Sequence, residues 1–366
     1  MRLVNMYCCA NCFRDAEIRG MIQGYNVSGN CSFCGQKNAP SYQIGTDTSL
    51  SDLFDELLDA YTTVANLPVT FPKDSTDLLK NILYSKWNIF NVAPDCIYRL
   101  ITSICHEKYS EQPELFDAPV GLWQSQDQDY LKDNGIIKNY AWADFVEVIK
   151  RKNRFHTDYL NKDVLYQFIY CVRKTYKAGT TFYRGRICST AQGFSNDEMG
   201  PPPPHLASAG RANPEGISIL YLADTVKTTL HEIRAGVYDY VTIGSFELLR
   251  DMEVINLAEI DKISPFIASK SYGIEFTRHA VNIEPLKMIS QEIAKPLRRH
   301  DSLLDYLPTQ YVSDYIKSKG FDGIEYMSTM SPDGVNLAVF DHSLLKCTST
   351  TVYDVKALNY SYDKVK

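Results

Sequence analysis

The sequence predicts an α+β chain in three parts: a small cysteine-knuckle domain over residues 1–45, a helical domain over 46–177 and a mixed α/β domain over 178–366. Three observations predict it. Two Cys-x-x-Cys pairs stand near the N-terminus. Apolar residues then recur at three- and four-residue spacing, the period of a helix packed on one face. Past about residue 178 that period gives way to short β-branched and aromatic runs separated by glycine and proline. At 366 residues the chain exceeds one ordinary core, which fits several domains.

Composition narrows the class. A hydrophobic share of 45% with 22% charged residues is ordinary for a globular chain, so disorder is not expected. The net charge of −6 argues against a broad basic face for nucleic acid and leaves room only for a local basic site. No apolar run approaches the ~18 residues of a membrane span, and residues 1–7 carry no signal-peptide apolar region. A cytoplasmic protein with no membrane partner is expected.

In the first part, Cys9-Ala-Asn-Cys12 and Cys31-Ser-Phe-Cys34 each form a knuckle that points two thiolates at one metal. Two knuckles complete a tetrahedron, so structural Zn²⁺ on Cys9, Cys12, Cys31 and Cys34 is expected. Four thiolates leave no open position for water, which argues against catalytic zinc. Gly29 and Gly35 beside the second pair supply backbone freedom. Cys8 reads as a neighbour that does not bind. Cys96, Cys105, Cys171, Cys188 and Cys347 read as buried small hydrophobes.

In the second part, Leu50, Leu53, Phe54, Leu57, Leu58 and Tyr61 make a helical stripe behind a capping candidate, Ser49, with Asp52 three residues on. Further stripes run from Leu78 to Trp87, from Ile97 to Ile104 after Pro94, from Trp142 to Ile149 and from Val164 to Val172. Five helices with short connections predict a bundle. The third part offers strands at 180–187, 217–222, 240–246, 253–257, 322–326 and 335–340, and helices at 225–234 and 308–319. Its four prolines, 201–204, predict an extended loop.

The polar residues of this third part can carry chemistry. Arg184 and Arg186 alternate along a strand and share a face, which is either exposed or lines an anion site. Arg211 sits in the turn-forming run Gly210–Gly216, and its planar fork suits a phosphate. Glu232 lies in a helix and Ser328 follows a strand exit. Taken one at a time, each also fits an ordinary solvated or turn residue.

Taken together, the blocks Tyr183-Arg-Gly-Arg186, Gly210-Arg-Ala-Asn-Pro-Glu-Gly-Ile217, Leu220-Tyr-Leu-Ala223 and Leu230-His-Glu-Ile-Arg234 resemble the RES (Arg–Glu–Ser) domain. Tyr306-Leu-Pro-Thr-Gln310, Phe321-Asp-Gly-Ile324, Tyr326-Met-Ser328 and Asn336–Phe340 continue the resemblance, in order, over most of 180–342. The segments in front look like the extension of longer family members, a zinc ribbon with a helical bundle of the HEPN class. The resemblance implies a fold related to ADP-ribosyltransferases and an enzyme that consumes NAD⁺ by breaking its nicotinamide–ribose bond. Hydrolysis and phosphorolysis are the implied outcomes, with ADP-ribosyl transfer to a protein a further one. It also implies a toxin or anti-phage effector restrained by an antitoxin or another inhibitory or activating protein.

The family's arginine falls on Arg184, with Arg186 a rival, its glutamate on Glu232 and its serine on Ser328. Arginine can hold the pyrophosphate. Glutamate can accept from the ribose and stabilise positive charge as the sugar becomes oxocarbenium-like. Serine can fix the ribose or the nicotinamide amide. Tyr183 and Tyr221 can stack on a ring, and Arg186, Arg211, Asn213 and Gln310 complete the implied substrate-binding set. No Rossmann glycine pattern is present, which fits NAD⁺ as a substrate to be cleaved. A competing constellation, Arg151-Lys-Asn-Arg-Phe-His156, resembles the R-x4–6-H motif of HEPN ribonucleases. There His156 would be the acid or base, Arg151 would hold the scissile phosphate, and the RES-like domain would sense a nucleotide. Basic residues also end helices without any chemistry. HEPN-like bundles pair, which implies a homodimer.

Overall fold

The computed structural model describes residues 6–295, 302–331 and 333–359, so residues 1–5 of the opening stretch lie outside the described residues. The chain forms two compact units. One comprises Met1–Phe145, Asp158–Cys171 and Lys262–Leu286, and the other Val146–Thr157, Val172–Asp261 and Lys287–Lys366. The cysteine knuckles and the first helical stripes therefore share one unit, together with a segment from well beyond residue 178.

In the first unit, strand Ala39–Gln43 pairs antiparallel with Tyr7–Cys9 on one side and Ser28–Gly29 on the other. The expected stripes form helices at Ser49–Leu58, Leu79–Ser85, Pro94–Ile104 and Lys162–Cys171. Leu50, Phe54, Leu57 and Leu58 are fully buried, and Phe54 packs against Phe90 at 5.7 Å and edge-on to Phe266 at 5.3 Å. The cap differs from expectation. Thr48 holds the cap position, its hydroxyl bonds Asp52 at 2.8 Å, and Ser49 is the first helical residue. A plain bundle is not what forms, because Thr62–Thr63, Asp77–Leu78 and Pro119–Gly121 make a small sheet among the helices. Strands of two or three residues are too short to leave a readable period. Helices at Ala16–Gly24, Gln128–Asn134 and Pro265–Tyr272 are additional to those expected. Of the scattered cysteines only Cys105 is buried, whereas Cys96, Cys171, Cys188 and Cys347 are half-buried.

The second unit is built on one eight-stranded sheet: β1 Arg173–Tyr176, β2 Thr181–Cys188, β3 Leu220–Ala223, β4 Tyr240–Leu248, β5 Met252–Asn256, β6 Gly323–Met327, β7 Val335–Val339 and β8 Leu345–Asp354. In space they run β8-β4-β2-β3-β7-β6-β5-β1, antiparallel throughout except for the β5–β6 pair. The edge strands β1 and β8 are the two not expected. Residues 173–176 continue a helical stripe in sequence, but Lys174 Nζ reaches both Glu325 oxygens at 2.9 Å and the Tyr176 hydroxyl also bonds Glu325, tying this edge to β6. β8 is rich in serine and threonine and half exposed, so it lacks a buried alternation.

One sheet face buries Phe182, Leu222, Phe246, Val254 and Leu337. On the other, helix α1 (Val226–Glu232) covers Val241 and Ile243. The Thr225 hydroxyl caps α1 by accepting the Thr228 N–H at 3.1 Å. A Cβ at Gly185 of β2 would lie 2.9 Å from Ile233 and Thr229 side-chain carbons, so α1 sits where only glycine fits. Helix α2 spans Leu307–Ser318. Among the described residues no helix is long and apolar enough to cross a membrane.

Candidate active site

Strands β2 and β3 are paired at a single position, Tyr183 with Ala223. Both strands line a cleft of about 500 Å³, joined by α1 and by residues of the neighbouring loops. Tyr183 and Arg184 come from β2, Tyr221 from β3, Glu232 from the end of α1, Asn336 from β7 and Tyr326 from β6; Arg211, Arg234, Tyr306 and Met330 are also in the lining.

Glu232 is a firmly anchored charge in the cleft. The Ser328 hydroxyl donates to its Oε1 at 2.5 Å, and Asn336 Nδ2 donates to the same oxygen at 2.9 Å. Ser328 Oγ also accepts the N–H groups of Met330 (3.2 Å) and Ser331 (3.1 Å). Those two donors occupy its lone pairs and direct its only proton to the carboxylate. Ser328 is buried and does not line the cleft, and its link to the cleft is the bond to Glu232. Asn336, which opens one of the resembling blocks, joins the site in addition to the residues expected from the sequence. Its signal was a polar residue inside the apolar run Val335–Val339.

Arg184 and Arg186 diverge despite sharing a strand face. The Arg184 Nε is buried without a hydrogen-bond partner among the described residues. Burial, with Arg186 nearby, pulls its pKa down to about 10, so it stays charged at neutral pH. Arg186 stacks over Phe194 at 4.0 Å and donates to the Glu198 carbonyl, away from the cleft lining.

Arg211 lines the cleft, with its guanidinium 5.5 Å from the Tyr326 ring centroid and Nη1 donating to the Ile293 carbonyl at 3.3 Å. Its loop is locked from below. The Tyr221 hydroxyl donates to Asn213 Oδ1 at 2.6 Å and accepts the Ala212 N–H at 3.0 Å, while the ring faces the cleft. Burial pushes that hydroxyl well above the usual tyrosine range. Asn213 gives its amide nitrogen to the carbonyls of Ser208, Pro214 and Ile217. Gln310 Nε2 donates to the carbonyls of Gly210 and Asn213, both at 2.8 Å. Asn213 and Gln310, expected on the substrate, are instead buried supports of the loop that carries Arg211.

Residues 185–363 match the family model described as the RES domain. This chain carries a RES domain. The matched span opens one residue after Arg184 and takes in Arg186, Arg211, Glu232 and Ser328. A chain of the M. tuberculosis MbcT–MbcA toxin–antitoxin complex is similar over 52% of this chain and 91% of its own, at 17% identity and a TM-score of 0.30. No curated protein matches the chain.

Ahead of the RES domain, the sulfurs of Cys9, Cys12, Cys31 and Cys34 lie within 4.8 Å of one another. Cys9–Cys12, Cys9–Cys34 and Cys12–Cys31 are separated by 3.8, 3.4 and 3.5 Å. A tetrahedron with Zn–S bonds of about 2.3 Å has edges of about 3.8 Å, so this donor set fits zinc. The N–H groups of Phe33 and Cys34 point at Cys31 Sγ at 3.5 Å, as a knuckle requires. Cys8 is buried outside the group. Arg151 Nε pairs with Glu147 at 2.9 Å one turn earlier, and the His156 N–H bonds the Asn153 side chain at 3.0 Å. Neither residue lines the cleft of the RES domain.

Proposed function

We propose that the RES domain binds NAD⁺ in this cleft and breaks its nicotinamide–ribose bond. The observation that carries the proposal is a carboxylate, Glu232, fixed by Ser328 and Asn336 in a cleft that also holds three arginines, Arg184 with its partnerless Nε, Arg211 and Arg234. A guanidinium N–H buried without an acceptor is costly, and a pyrophosphate supplies both the acceptor and a counter-charge. The C1′–N bond breaks with its electron pair leaving on nicotinamide, which becomes neutral. Positive charge then grows on the ribose, where the anchored carboxylate stabilises it. Water, which gives up a proton to solvent, or phosphate then bonds C1′, completing hydrolysis or phosphorolysis. Aromatic side chains of Tyr183, Tyr221 and Tyr306 offer ring faces for the bases.

On this reading the protein is a cytoplasmic toxin or defence effector, because loss of NAD⁺ harms the cell that makes it, and an antitoxin-like partner restrains it. The four cysteines hold a structural zinc, and their unit carries no chemistry of its own. The test is incubation of the purified protein with NAD⁺, with and without phosphate, and separation of the products. Free nicotinamide with ADP-ribose, or with its phosphorylated form, is expected. Glu232→Gln should abolish product formation while the protein stays folded, and undiminished turnover in that variant rules the assignment out.

A further inference from the structure

Four successive backbone carbonyls, those of residues 210–213, are held by side chains of a single helix. On α2, Gln310 Nε2 takes the Gly210 and Asn213 carbonyls at 2.8 Å each, Thr309 Oγ1 takes that of Arg211 at 2.7 Å, and Ser313 Oγ takes that of Ala212 at 3.0 Å. All three side chains are buried, and their spacing places them on adjoining positions of one helix face. Carbonyls shielded from water need donors; here one helix face reaches all four, and the Gly210 N–H adds a second bond to the Asn213 carbonyl at 2.9 Å. Carbonyls turned onto α2 are turned away from the cleft, where their negative ends would repel an anion. The loop has no slack either, since a Cβ on Gly210 would meet Tyr221 Oη at 2.6 Å and Asn213 Oδ1 at 2.7 Å.

From this arrangement we infer that Gln310, with Thr309 and Ser313, is a positioning residue that aims Arg211 at the phosphate groups of the dinucleotide. The inference rests on the proposed function. Gln310 touches no substrate on this account. It sets the backbone of residue 211, and the Ile293 carbonyl and Tyr326 ring then direct the guanidinium. The clamp therefore serves recognition of phosphate and not the breaking of the glycosidic bond.

The experiment compares NAD⁺ with nicotinamide riboside, which has the same scissile bond and no phosphate. Gln310→Leu should raise the KM for NAD⁺ by about tenfold or more with kcat within about threefold. Turnover of the riboside should be unchanged, which a merely structural role would not allow. In an Arg211→Ala background the same substitution should add nothing, because both act through one guanidinium. Thr309→Val, which releases the Arg211 carbonyl and the Tyr306 carbonyl that shares the hydroxyl at 2.9 Å, should show the same pattern more weakly and serves if Gln310→Leu folds poorly. An equal loss on both substrates, or full additivity with Arg211→Ala, overturns the clamp. Wild-type protein that neither binds nor consumes either compound overturns the functional reading itself, a result separate from both.

Discussion

Ser328→Ala removes one oxygen that makes three hydrogen bonds, to Glu232 Oε1, the Met330 N–H and the Ser331 N–H. The bond to the carboxylate is charge-assisted and contributes about 1.5–3 kcal/mol. The Ser331 N–H lies buried and loses its acceptor, at a cost of about 1 kcal/mol or more, whereas Met330 is 39% exposed and its N–H can be rewetted. Together these give a destabilisation of about 3 kcal/mol. In a domain of this size that lowers Tm by roughly 6–12 °C. Asn336 still holds Glu232 at 2.9 Å, so the carboxylate stays in the cleft but can rotate about that single bond. A turnover loss of about 10–100-fold in kcat with little change in KM is expected for NAD⁺. Thermal unfolding and single-turnover kinetics read the two effects separately. Tm within about 1 °C of wild type and undiminished kcat would refute the idea that Ser328 works through Glu232.

Other consequences are testable on the same protein. Gly210→Ala must displace Tyr221 or Asn213, so stability should fall by about 1–3 kcal/mol with a weaker grip on NAD⁺; equilibrium unfolding and ligand titration read both. His279 is buried against Trp87 and Phe168, and burial lowers its pKa to about 4. The unfolded imidazole binds a proton below about pH 6.5 while the folded one stays neutral to about pH 4, so stability should fall by about 1.4 kcal/mol per pH unit across that window. His279→Phe should flatten this slope in urea titrations run between pH 7 and pH 4. Metal analysis should find one zinc per chain, and Cys31→Ser should release it and lower the Tm of the first unit.

How far the sequence reveals this structure depends on where each signal lies. Stripes such as Leu50–Leu58 are set by neighbours along the chain, and their helix is legible at once. The same holds for β2, β3 and β4, whose runs alternate or fill a buried face. Strand β1 is decided elsewhere, by Glu325 about 150 residues away, and helix Phe276–Ala294 is obscured by Pro285 within it. At the site, residue type pointed to Arg184, Arg211, Glu232 and the tyrosines, which the fold gathers around one cleft. Type could not separate residues that face the cleft from those that hold its walls. Asn213 and Gln310 are as polar as Asn336, yet only Asn336 reaches the lining, because a loop and a helix bury the other two. Nor could alternation separate Arg184 from Arg186, which Phe194 and the Glu198 carbonyl draw aside.

The partnerless Nε of Arg184 gives the RES domain a stake in its own substrate. A ligand that binds only the folded state stabilises it in proportion to the logarithm of its concentration. On the proposed function that ligand is NAD⁺, and cleavage passes the same pyrophosphate to the product ADP-ribose. Breaking the nicotinamide–ribose bond would therefore leave Arg184 its counter-charge for as long as the product stays bound, and the domain would become more prone to open only when that product leaves. The lifetime of the folded domain would thus be timed by clearance of pyrophosphate-bearing nucleotide, not by loss of NAD⁺ alone.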